Sequence, residues 1–141
     1  MDNIIKKERL INSEINKVWD ALTDSEKIEK WFLPNEFDPQ VGGKFRLIHK
    51  SDEGEDCDKE VSGEILEIEK PNRLVYSWNV NNTDVKSKVI WTLKEEEGKT
   101  HVTIEHVDLE VYKEGMEEFK THFTSGWEMF FGNFQTYCEN E

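Results

Sequence analysis

Two cysteines, three prolines and the absence of any long apolar run place several protein classes out of reach of this 141-residue chain. Nowhere do about 18 apolar residues follow one another, so no membrane-spanning helix is expected. Nor does the start, Met1 to Leu10, hold the apolar stretch of a signal peptide, and the expected location is the cytoplasm. Cys57 and Cys138 stand far apart and form no Cys-x-x-Cys pair, which fits a reducing compartment and predicts no disulfide. Positive charge is scarce. With 18 Lys and Arg against 31 Asp and Glu, the formal net charge is -13, and such a field repels phosphate backbones and anionic lipid heads; neither nucleic acid nor a membrane is an expected partner. No Gly/Ser/Pro-rich linker divides the chain, so residues 1–141 are read as a single domain.

Aromatic residues are what the chain does have. The mean hydropathy is only -0.78, yet five Trp and eight Phe concentrate apolar area in a few large side chains, which argues against disorder. Their most ordered use is near the end, from Met116 to Cys138. There Phe119, Phe123, Trp127, Phe130, Phe134 and Tyr137 recur at steps of three or four. At helical periodicity these side chains, with Phe131 and Cys138, fall within an arc of roughly 140°, while Glu128, Gly132, Gln135 and Glu139 lie opposite. A helix of about 22 residues is roughly 33 Å long and can lie across a whole sheet. Gly126 inside it costs about 1 kcal/mol relative to Ala, for which close backbone packing or room for a ligand are alternative reasons.

The rest of the chain reads as strands with one helical insertion. Ile4 to Ile11 suggest a first strand. Ser13 is read as the N-cap of a short helix carrying Ile15, Val18, Trp19 and Leu22, and Thr23-x-x-Glu26 has the form of a capping box opening a second helix with Ile28, Trp31 and Phe32. Pro34 is expected to end it. An irregular stretch runs through Pro39, and Val41-Gly42-Gly43 then turns into a strand, Lys44 to His49, with Phe45, Leu47 and His49 on one face. Val61 to Glu69 is a strand whose apolar phase slips between Ile65 and Leu66, predicting a bulge. After the Pro71-Asn72 turn, Leu74, Tyr76 and Trp78 share one face. After Asn81-Asn82, Val85, Ser87, Val89, Trp91 and Leu93 alternate with lysines, and beyond the Gly98 turn Val102, Ile104 and His106 share parity. Helices grouped outside a run of antiparallel strands mean an α+β fold with about six strands, two short helices after the first strand and one long C-terminal helix.

Most candidate chemistries find no support. The acidic run Asp52 to Asp58 lacks the order of a calcium loop and is read as a solvated hairpin tip. His49, His101, His106 and His122 are scattered, so no zinc site and no metal are expected. No Gly-x-Ser-x-Gly elbow or phosphate-cradling glycine loop is present, and no cofactor is expected. His106 shares the parity of Val102 and Ile104, so it is either a hydrogen-bonded wall residue or a general acid or base.

Several blocks, in order, resemble one family. Val18-Trp19-Asp20-Ala21-Leu22-Thr23-Asp24, Trp31-Phe32-x-Pro34, Gly42-Gly43-x-Phe45-Arg46, Pro71-x-Arg73-Leu74-Val75-Tyr76-x-Trp78 and Gly126-Trp127 are similar to the single-domain bacterial homologues of the heat-shock-protein-90 ATPase activator, within the START-like, birch-allergen-like superfamily. The resemblance runs nearly end to end. It implies a helix-grip fold, in which a curved antiparallel sheet wraps around the C-terminal helix with a pocket or tunnel between them. Activity does not follow from that fold.

The reading carried forward is a domain that binds a small hydrophobic molecule between sheet and terminal helix. Trp31, Phe45, Leu47, Tyr76, Trp78, Trp91, Ile104, His106, Phe123, Trp127 and Phe130 are the candidate cavity residues. The alternative is a co-chaperone-like module that meets a chaperone or another protein through its acidic surface. A third reading is a cyclase-like enzyme using His106, Tyr76 or a buried carboxylate, although no acid–base pair can be placed from the sequence.

Overall fold

The computed structural model describes residues 4–32, 35–49, 59–80, 86–109, 111, 113 and 116–140. The acidic run Asp52 to Asp58, Pro34, the Asn81-Asn82 turn and Val85 lie outside the described residues, as do the side chains of His49, Phe119 and His122. The chain runs β1 (Ile5–Ile11), α1 (Ile15–Thr23), α2 (Ser25–Trp31), β2 (Asn35–Phe37), β3 (Lys44–His49), β4 (Lys59–Glu69), β5 (Arg73–Val80), β6 (Lys86–Glu96), β7 (Lys99–Val107) and α3 (Met116–Asn140). All strands pair antiparallel in one sheet ordered β1-β7-β6-β5-β4-β3-β2. The first strand therefore closes against the last, and α1 and α2 carry the chain from one edge of the sheet to the other.

Alternation along the strands places one set of side chains on the face that α3 covers. Val89, Trp91 and Leu93 of β6 and Val102, Ile104 and His106 of β7 are all buried there. On α3 the buried residues are Phe123, Trp127, Phe131, Phe134 and Cys138, while Phe130 and Tyr137 flank them half-buried. The apolar arc is thus centred on Trp127, Phe131 and Phe134. Glu128, Gln135 and Glu139 do not simply face water, because the helix lies along the β1 edge. Lys7 Nζ donates to Glu128, Arg9 Nη1 donates to Gln135 Oε1 at 2.8 Å, and the Asn12 N–H donates to Glu139 Oε2 at 2.9 Å. Gln135 Nε2 also donates to the Leu10 carbonyl at 3.4 Å. Polar groups on this edge strand are thereby covered by a helix. Arg9 further stacks over Phe131, its guanidinium carbon 5.5 Å from the ring centroid.

Local expectations fare unevenly. The slip between Ile65 and Leu66 is a bulge: register shifts between Ile65 and Glu67, which leaves Leu66 exposed and returns Ile68 to the core side. The β6–β7 hairpin turns on Glu97 and Gly98, with φ of 50 and 84°, the paired positive values that a two-residue turn needs and that glycine adopts without strain. The sheet has seven strands rather than about six, because Asn35–Phe37, read as irregular, pairs with β3. The N-cap of α1 is Glu14, without a side-chain bond, and not Ser13. The capping box is also replaced. Helix α1 runs on through Thr23, whose hydroxyl donates back to the Trp19 carbonyl at 2.9 Å, and Asp24 caps α2 by accepting from the Glu26 N–H at 3.0 Å. Helix α2 ends at Trp31, before Pro34.

One glycine is fixed by contact. A Cβ built on Gly63 would lie 2.0 Å from the Ser77 carbonyl oxygen and 2.6 Å from the Phe45 ring, so β4 approaches its neighbours there more closely than any side chain allows. Beside it the Glu64 N–H donates to Ser77 Oγ at 2.9 Å. Since a backbone carbonyl cannot swing aside like a flexible side chain, Gly63→Ala is expected to destabilise the fold by about 1–3 kcal/mol. Urea unfolding checks this, and a midpoint equal to that of the unaltered protein would contradict the close approach.

Candidate functional site

The interior of the sheet is filled unevenly. Beneath α2 lies a void of about 10 Å³ lined by Leu22, Ile28, Trp31, Phe32, Phe37, Phe45, Leu47 and Tyr76. Helical spacing brings Ile28, Trp31 and Phe32 to one side of α2 and its C-cap. Strand parity brings Phe45 and Leu47 inward from β3 and Tyr76 from β5, while Leu22 enters from α1 and Phe37 from β2. The volume is that of about one water molecule and far below the roughly 300 Å³ of a small-molecule site. The lining is apolar apart from one phenol, so a single water would find few partners there.

Toward α3 the rings close up. Trp31 meets Phe134 edge-on at 4.6 Å between centroids, Trp91 meets Phe134 at 5.5 Å and Phe131 at 5.8 Å, and Trp78 meets Trp127 at 5.2 Å. These separations and tilts are those of close-packed aromatic pairs. At the boundary between the packed region and the void stands Phe32. It follows the last turn of α2, is only half-buried, and touches Phe130 at 4.5 Å and Trp127 at 5.7 Å while lying parallel to Trp78 at 6.5 Å.

The polar groups in this interior are few and mostly accounted for. His106 is fully buried. Trp127 Nε1, which can only donate, lies 3.1 Å from His106 Nδ1, so Nδ1 is the unprotonated nitrogen. The proton therefore sits on Nε2 and is donated to Ser87 Oγ at 2.7 Å, and the serine hydroxyl turns toward the Trp78 carbonyl at 3.5 Å. A serine in this position accepts a hydrogen bond from its histidine rather than donating one to it, so the pair is not an activated nucleophile. Burial lowers the His106 pKa to about 3, which keeps the ring neutral at physiological pH.

Two donors stand apart. Tyr76 Oη accepts from Trp91 Nε1 at 2.9 Å, which leaves its own O–H without an acceptor among the described residues. Burial pushes the phenol well above its ordinary range, partly offset by the hydrogen bond from Trp91. Trp78 Nε1 is buried with no partner among the described residues. By contrast, Trp31 Nε1 donates to the Ala21 carbonyl at 2.8 Å.

Of the expected cavity residues, Trp31, Phe45, Leu47 and Tyr76 line the void together. Trp78 lies behind Phe32, and Phe130 flanks it. Trp91, Ile104, His106, Phe123 and Trp127 belong to the packed region against α3. Leu22, Ile28, Phe32 and Phe37 complete the lining and were not among the candidates. Three of them lie in the apolar stripes of α1 and α2, and only the path of those helices across the sheet brings them here. An added Cβ on Gly126 would meet no atom within 4 Å, so close packing does not explain that glycine. Between α2 and the end of α3 a wider groove, about 350 Å³, is lined by Lys30, Asn133, Thr136, Tyr137 and Asn140 and opens to solvent. Among the described residues, no three His, Cys, Asp or Glu side chains converge as metal ligands, and no helix is long and apolar enough to cross a membrane.

The family model described as Activator of Hsp90 ATPase homolog 1-like protein matches residues 12–139. No curated protein matches the chain. Among solved structures, protein MLL2253 from Mesorhizobium loti is 27% identical, with a TM-score of 0.82 over 97% of each chain. Protein BH1534 from Bacillus halodurans is 28% identical, with a TM-score of 0.73 over 96% of each chain. CalU16 from Micromonospora echinospora is 28% identical, with a TM-score of 0.74 over 96% of this chain and 75% of its own. With these likenesses the seven-stranded sheet and its long terminal helix are a helix-grip, α+β fold.

The buried neutral imidazole carries a pH signature. Its folded pKa of about 3 lies below the unfolded value of about 6.5. Between these values the unfolded chain binds a proton that the folded chain refuses, so the stability present above pH 6.5 falls as pH drops toward 3. From pH 7 to pH 5, above most of the carboxylate range, the loss from this group is roughly 2 kcal/mol. Urea unfolding at the two values should show it, and His106→Gln should remove most of it. An equal loss in both proteins would contradict the assignment.

Proposed function

The chain belongs to the family of Activator of Hsp90 ATPase homolog 1-like proteins, and from that premise we propose that it binds a small hydrophobic molecule in the space beneath α2. The observation that carries the reading is the apolar void beneath α2, where the rings do not close. Phe32, a half-buried residue at a helix end, is part of its wall, and the side chain of Phe32 is held by ring contacts to Trp31, Trp78, Trp127 and Phe130. Displacing that ring joins the void to the surface and opens the faces of Trp78 and Phe130, so a ligand would lie between α2, the sheet and the flank of α3. Burial of apolar area at about 25 cal/mol per Å² then supplies the affinity.

A second reading has support of its own. The family's description and the formal charge of -13 favour a protein-interaction module that meets a chaperone or another protein through acidic surface. The two readings keep their binding energy in different places. A buried apolar site depends little on ionic strength, whereas association steered by charge weakens as salt rises.

A neutral environment-sensitive dye, N-phenylnaphthylamine, is therefore expected to bind at one saturable site with nearly the same affinity at low and physiological salt. Phe130→Leu, which trims the helix face but keeps it apolar, should weaken binding. Phe32→Ala should speed association by removing the obstructing ring. Fluorescence titration and stopped-flow mixing measure these effects. Absence of a saturable site contradicts the carrier reading, as does affinity that salt abolishes and Phe130→Leu leaves untouched.

A further inference from the structure

The two open donors say more about the ligand than the apolar lining does. Tyr76 and Trp78 are two residues apart on β5, so their side chains share the core face, and the rings lie 6.3 Å apart at an interplanar angle of 24°. Each is only 5% exposed. Tyr76 lines the void and keeps an unused O–H, while Trp78, which keeps an unpaired Nε1–H, lies parallel to Phe32 with the ring centroids 6.5 Å apart. A buried donor without an acceptor is unfavourable, and displacement of Phe32 would open the interior beside both rings.

Resting on the carrier reading above, we infer that the ligand is a neutral molecule, apolar except for a hydrogen-bond-accepting oxygen such as a ketone or ether, and that Tyr76 O–H and Trp78 Nε1–H are the donors that receive it. Both open valences are donors, so the complementary ligand group is an acceptor. It carries no charge, because among the described residues no Lys, Arg, Asp or Glu lines the void, and a carboxylate or ammonium buried there would lack a counter-ion. His106, a buried imidazole, is committed at both nitrogens to Trp127 and Ser87. Tyr76 is suited to the task because Trp91 fixes its oxygen by donating to it, which leaves the phenol's own proton to turn toward the ligand.

A matched pair of probes tests this: benzophenone and diphenylmethane, similar in shape and different by one carbonyl oxygen. Benzophenone should bind the intact protein roughly 5- to 10-fold more tightly, the effect of one or two hydrogen bonds. Its carbonyl stretch should move to lower frequency on binding, relative to an alkane solvent. Tyr76→Phe should remove most of the preference, and Trp78→Phe should reduce it. The infrared shift needs no substitution, so a variant that fails to fold does not remove the test. Equal affinity for the two probes, with no carbonyl shift, overturns the inference while leaving the carrier reading intact. Failure of both probes to bind overturns the carrier reading as well as the inference.

Discussion

The hydrogen bond from Trp127 Nε1 to His106 Nδ1 is the constraint on which the arrangement of helix and sheet depends. It is a buried directional link between α3 and the middle of the sheet, where the surrounding contacts are between rings and would by themselves tolerate sliding or rotation of the helix. One donor on α3 selects the tautomer of a histidine on β7, and that tautomer selects a serine on β6 whose hydroxyl turns to a carbonyl on β5. Register among three strands and rotation of the helix are thereby set through one short chain of partners. Because the link lies in a water-excluded interior, breaking it leaves a buried donor or acceptor unsatisfied, which costs more than an intact bond contributes. Trp91 is then held between the Trp127 ring and the Phe131 and Phe134 rings.

The two ends of the sheet are finished differently, and this asymmetry locates the candidate site. At the β1 edge, α3 lays Glu128, Gln135 and Glu139 against Lys7, Arg9 and the strand backbone. At the β2 edge the cover is a two-turn helix and a three-residue strand, joined by the pairing of Ser25 with Asn35. Short elements bury little area and open more readily than long ones. A site that must admit a ligand into an otherwise filled interior is therefore better placed beneath α2 than beneath α3.

Much of this architecture was legible in the residues. The aromatic steps from Phe123 to Tyr137 could only be one face of a helix, and the alternation around Trp91 and Ile104 could only be strands with a covered face. Even the bulge showed itself as a slip of phase between Ile65 and Leu66. What stayed hidden depended on tertiary placement. Three residues, Asn35 to Phe37, are too few to show an alternation. A single residue, Asp24, separates α1 from α2, so Thr23 matched a capping pattern while belonging to the preceding helix. Glu128 and Gln135 lie across α3 from the aromatic arc, yet the helix rests along an edge strand whose Lys7 and Arg9 reach them. The lining of the void was half legible for the same reason. Inward parity marked Phe45, Leu47 and Tyr76, but nothing local tells Phe37 and Leu22, brought from different parts of the chain, that they meet. Nor can a sequence distinguish rings that pack solidly from rings that leave a gap, since that depends on their tilt.

The central claim is that an apolar molecule enters beneath α2 by displacing Phe32. It is tested most directly by following the indole N–H resonances in a nitrogen-15 spectrum during titration with N-phenylnaphthylamine. Trp31 and Trp78 flank the proposed entry, and the other indoles serve as internal references. The account predicts saturable shifts of the Trp31 and Trp78 indole signals together with the Phe32 amide. Shifts confined to surface amides, with both indoles unmoved at saturation, would contradict it.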